Sequence, residues 1–139
     1  MRIHFEFNHA NPLLDLLVEV ATDYIMKDLG LDKSKSSVII STERTVTIGD
    51  MDCLGLAEKV GSVYYVSIKS SLSVKKAINT LAHELRHIWQ FVNGWTMDME
   101  SPYYERPQEI DAFAYGDEFT ERMIHEIYDA YKARKLLVA

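Results

Sequence analysis

Between Ser73 and Gly94 the chain writes two faces onto one helix. Val74, Ile78, Leu81, Leu85, Ile88 and Val92 recur at intervals of four and three residues, the spacing of a single apolar stripe. At about 100° per residue, His83 and His87 fall almost opposite that stripe, near Lys76, Thr80 and Gln90. Histidines buried in an ordinary core would sit on the apolar side. Here the stripe has to pack on a core while both histidines point together toward a second surface.

The rest of the chain supplies material for both surfaces. Its 139 residues are 47% hydrophobic, enough for one domain over residues 1–139 and too few for a second. Residues 2–7 alternate Ile3, Phe5 and Phe7 against polar neighbours, a strand pattern. Asn11-Pro12 reads as a helix entry, followed by apolar residues at helical spacing as far as Leu29 and a stop at Gly30. Residues 37–41, 45–48, 53–58 and 62–69 are short, rich in Val, Ile, Thr and Tyr, and read as three or four strands of a small sheet. An irregular stretch, residues 95–106, precedes a last long helix from Pro107 toward Leu136, with Gly116 inside it as a bend. This order predicts an α+β domain rather than a doubly wound parallel sheet.

The histidine pair belongs to His83-Glu84-Leu85-Arg86-His87, an H-E-x-x-H sequence. Histidines one turn apart on a helix reach a single zinc ion, and a glutamate directly after the first sits beside the ion as a general base. Catalytic zinc commonly takes three protein ligands, so a third is needed. Glu109 in the first turn of the last helix is the choice, with Ala112 and Gly116 on nearly its own face to let the two helices approach. Asp111 points almost opposite, and Glu105 precedes Arg106-Pro107, where the chain is biased away from helix. His4, His9 and His125 are excluded by position. The expected roles are therefore His83, His87 and Glu109 as ligands of one Zn2+ and Glu84 as base.

This arrangement, with Glu109-Ile110-Asp111-Ala112 following the motif helix, resembles the gluzincin pattern of zinc metallopeptidases. It is most similar to minimal, ImmA/IrrE-like or phage-encoded metallopeptidase domains, over residues 62–115. It departs from them in lacking a Leu-Leu-x-Pro stretch after the glutamate helix, and it carries no helix-turn-helix module, so repressor cleavage is not implied. The resemblance implies a zincin-like fold and hydrolysis of peptide bonds. It also implies that the strand ahead of the motif helix, from Ser62 to Ile68, is a sheet edge that holds a peptide or protein substrate in extended form. The competing reading of that strand is an interior one. For the developing oxyanion, Tyr103, Tyr104, Arg106 and Tyr115 are all candidates. The alternative to an enzyme is a zinc-stabilised, catalytically inactive protein-binding domain of the same fold. The single Cys53, distant from the motif, weighs against a closed structural site, which is usually filled by Cys and His.

Charge and composition narrow the partners. A net charge of -6 speaks against nucleic acid and against anionic lipid. No apolar run approaches a membrane span, and the first seven residues are too charged and short for a signal peptide. With one cysteine and no internal disulfide, the expected compartment is the cytoplasm.

Overall fold

A computed structural model of the protein describes residues 1–138. It is an α+β arrangement in which β1 (Arg2–Phe7), α1 (Pro12–Asp28) and β2 (Ser37–Glu43) are followed by a run of short strands. These are β3 (Val46–Ile48), β4 (Met51–Cys53), β5 (Gly55–Val60) and β6 (Val63–Lys69). Two helices close the chain, α2 (Val74–Val92) and α3 (Pro107–Val138).

The helix ends follow their local chemistry. The Asn11 side chain accepts from the Leu14 amide at 3.2 Å, with Pro12 in the first turn. Gly30 takes φ 69°, a left-handed conformation that costs glycine little, and ends the α1 segment. Ser73 caps α2 by accepting from the Lys76 amide at 3.4 Å. Residues 95–106 are irregular apart from one short turn (Tyr103–Glu105). They are tied to α3 through Gln108, whose amide donates to the Asp98 carbonyl at 2.6 Å and accepts from its N–H at 3.2 Å.

The main sheet has the order β1-β2-β6-β5. β1, β2 and β6 run parallel, and β5 is antiparallel to β6. β3 and β4 form a separate antiparallel pair. Sequence pattern alone does not reveal the parallel interior, because the pairing of β1 with β2 depends on α1 carrying the chain back across. The segment 53–58, which reads as one strand, is two. The break falls at Leu54, between β4 and β5.

The strand from Ser62 to Ile68 is not an edge, and the expectation that it holds substrate is corrected. β6 is hydrogen-bonded to β2 on one side and to β5 on the other, so no peptide can be added to it. Ser62 lies in the tight turn opened by Gly61 at φ 62°. The sheet's edge on this side is β5.

Val38 and Ile40 of β2 and Tyr64, Val66 and Ile68 of β6 enter one core with the inner faces of the three helices. The α2 stripe does as its spacing demands: Ile78, Leu81, Leu85 and Ile88 have no exposed surface, while Val92 at its end is 40% exposed. The opposite face of α2 is also covered, by α3. Gly116 allows that cover. A Cβ at this position would lie 2.8 Å from Asn79 Oδ1 and 3.1 Å from the Asn79 carbonyl oxygen. The glycine thus serves helix approach, inside a helix that runs without a break from Pro107 to Val138.

Candidate metal centre

The close approach of α2 and α3 buries the histidine face of one against the first turn of the other. His83, His87 and Glu109 are each less than a tenth exposed. The two Nε2 atoms lie 3.1 Å from the same atom, Glu109 Oε1. All three donor atoms fall within 4.8 Å of one another, and among the described residues this is the one such group of three. Two imidazoles and a carboxylate converging on one point fit a divalent cation, because each offers a lone pair and none is otherwise committed on that side. Burial alone would raise the Glu109 carboxyl, but its contacts with His83 and His87 outweigh that and hold it well below the usual carboxylate range. Burial alone would lower His87, whereas Glu109, Glu84 and Gln90 together push it up. The site is electrostatically built to hold positive charge between its members.

Glu84 is not part of the triad. It is buried on the same helix, and burial pushes its carboxyl up, opposed in part by the two histidines. Gly55, at the first position of β5, brings the sheet edge directly against it. A Cβ on Gly55 would meet Glu84 Cγ at 2.9 Å and Thr80 Cγ2 at 2.7 Å.

The four candidates for oxyanion stabilisation separate by position. The half-buried Tyr103 hydroxyl faces Glu109, and burial together with that carboxylate pushes its pKa up. Tyr104 is 77% exposed and stacks on Phe113. The Arg106 guanidinium donates to the Ser101 and Met99 carbonyls. The Tyr115 hydroxyl donates to Asp28 at 2.8 Å. Of the four, Tyr103 is the one whose hydroxyl is influenced by the Glu109 carboxylate. Phe113 packs edge-on against the His83 ring at 4.5 Å, giving the site an aromatic wall with Tyr103 and Tyr104.

Residues that sequence reasoning does not assign complete the setting. Asp111 stays out of the triad, as expected, yet it is not turned away from α2: its carboxylate takes two hydrogen bonds from Arg86, at 2.8 and 3.1 Å, and one from Gln90 at 2.8 Å. Gln90, three residues after His87, falls on the histidine face. That i, i+3 position is the signal that could have singled it out. His4 and His9 lie near Glu6 and Asp15, and His125 is exposed on α3, lining a surface pocket with Lys75 and Asn79 of α2; none joins the triad. No helix among the described residues is long and apolar enough to cross a membrane.

No family model and no curated protein matches this chain, and no solved structure matches it.

Proposed function

We propose that the chain is a zinc-dependent peptidase with a minimal zincin-like fold, built on the gluzincin pattern. The observation that carries this reading is the convergence of His83 Nε2 and His87 Nε2 on one Glu109 oxygen, with Glu84 buried on the same helix and outside that group. His83, His87 and Glu109 would hold the zinc ion, which would supply a Lewis acid able to polarise a peptide carbonyl and to lower the pKa of a bound water to about 7.

The chain's own residues supply the rest. Glu84, its carboxyl raised by burial, takes a proton from the water whose oxygen bonds to the peptide carbonyl carbon. Tyr103 donates a hydrogen bond from its hydroxyl to the oxyanion that develops there, and keeps its proton throughout. As the carbon–nitrogen bond breaks, Glu84 returns the proton to the leaving nitrogen, so one water is consumed and the base is regenerated. The substrate lies extended along β5, the free edge that starts at Gly55 against Glu84. A lone Cys53 that forms no disulfide suits work in the cytoplasm.

Glu84→Gln tests the reading. The amide is close in size but is not a base at neutral pH. Zinc content should match the parent, while hydrolysis of a mixed peptide library falls by roughly 10²–10⁴-fold. Zinc-loaded parent protein that cuts no peptide or protein in a broad panel would favour the binding domain of the same fold. Loss of zinc in Glu84→Gln would instead make Glu84 a ligand.

A further inference from the structure

Gln90 is fully buried, and its side-chain amide has only one orientation available. Its Nε2 lies 2.9 Å from the Gln108 carbonyl oxygen and 2.8 Å from Asp111 Oδ2. Both are acceptors without a proton to give, so the NH₂ end must face them and Oε1 must face His87. Asp111 is itself fixed by the two-pronged contact from Arg86, whose guanidinium lies 3.7 Å over the Trp89 ring. Gln90 Oε1 then stands 2.8 Å from His87 Nδ1. An amide oxygen can only accept. Nδ1 therefore carries the hydrogen, and Nε2 is the atom left to face Glu109 Oε1 at 3.1 Å. Two bare acceptors at that distance repel each other, so the arrangement is satisfied only with a cation or a proton between them.

We propose that Gln90 is the positioning residue of the metal centre: through Asp111 and Arg86 its amide is locked so that His87 presents Nε2, and no other atom, to the ion. The inference rests on the metal centre of the proposed function and not on peptide hydrolysis. Partners that hold the second nitrogen of a ligating histidine set its tautomer and ring orientation, and losing one typically costs about 10–100-fold in metal affinity.

The experiment measures zinc dissociation constants, by competition with a chromophoric chelator, for the parent, for Gln90→Leu and for Asp28→Asn. Leucine fills the space but accepts nothing from His87. Asp28→Asn weakens the contacts of Asp28 with Tyr115 and Arg122, away from the centre, and is the control for a merely structural loss. Affinity should fall about 10–100-fold in Gln90→Leu and stay within a few-fold of the parent in Asp28→Asn. Nitrogen-15 spectra of the zinc-loaded parent give an independent reading, with His87 protonated on Nδ1 and coordinated through Nε2. Parental affinity in Gln90→Leu, an equal loss in Asp28→Asn, or coordination through Nδ1 would each overturn the proposal. If Gln90→Leu does not fold, the parental spectrum decides. A parent that binds no zinc overturns the metal centre and this inference together; one that binds zinc in this manner but cuts nothing leaves the inference standing and removes only the peptidase.

Discussion

The α-carbon of Gly55 faces Glu84 so closely that any side chain there would displace it: an added Cβ would lie 2.9 Å from Glu84 Cγ and 3.2 Å from Oε2. Thr80 Cγ2, at 2.7 Å, blocks the other direction. The glycine therefore fixes where the carboxylate of the motif can stand. Gly55→Ala should leave zinc content at the parental level, since none of the three ligands is touched. Peptidase activity should fall by about 10²-fold, the scale expected when a reacting group moves by about an ångström. Overpacking should also lower stability by ~1–3 kcal/mol, read from denaturant unfolding. Parental kcat/KM in this variant would mean that Glu84 has room to adjust.

Tyr103 and Tyr104 are neighbours in sequence and in space, with ring centroids 5.1 Å apart, but the Tyr103 hydroxyl feels the Glu109 carboxylate while Tyr104 is 77% exposed. Tyr103→Phe removes one oxygen and keeps the aromatic wall. In the proposed mechanism it removes the oxyanion donor, so kcat should drop by about 10²–10³-fold, with zinc content retained. Tyr104→Phe should leave kcat close to the parental value. Equal effects from the two substitutions would leave Tyr103 with no role that Tyr104 lacks.

Much of this centre is legible in the sequence because its parts obey helical geometry. The positions of His83, Glu84 and His87 follow from one period, and Glu109 follows from its place in the first turn of a helix with small neighbours on its face. What the sequence does not reveal depends on strand order. Val63–Lys69 reads as a strand equally well at an edge or inside, and only the pairing of β5 outside β6 makes Gly55–Val60 the edge. The Asp111 contacts escape the sequence for a related reason. A helical wheel places Asp111 away from Glu109, but two helices in close approach bring more than one face of α3 within reach of α2, and long Arg86 and Gln90 side chains span the difference.

Helix approach can be tested through Gly116. In an isolated helix Gly→Ala is stabilising by roughly 1 kcal/mol. Here the added Cβ would sit 3.1 Å from the Asn79 backbone oxygen, which cannot swing aside, and 2.8 Å from its side-chain oxygen. The crowding should win. Gly116→Ala is expected to lower the melting temperature of the metal-free protein and to weaken zinc binding, because the ligands on α2 and Glu109 on α3 are forced apart. An unchanged zinc dissociation constant with a raised melting temperature would show that the helices have slack at this point.

Away from the metal centre, the end of α1 is fastened to α3 by Asp28. Both Arg122 Nη atoms donate to its carboxylate at 2.9 Å, and the Tyr115 hydroxyl donates to it at 2.8 Å. The hydrogen bonds from Arg122 are the largest influence and hold the Asp28 carboxyl below its ordinary value, against a smaller opposing effect of burial. A carboxylate depressed in the folded state stabilises fully above its unfolded pKa of about 3.9, and that contribution disappears as pH falls through the folded value. The parent should therefore exceed Asp28→Asn in stability at pH 7, by about 1 kcal/mol for a charged contact partly screened by solvent. The gap should stay constant down to about pH 5, narrow below about pH 4 and close in stronger acid. Thermal unfolding of both proteins with the metal removed by chelator isolates this carboxylate from acid release of zinc. A gap that does not narrow at all as the pH falls below about 4 would mean that Asp28 acts through packing rather than through its charge.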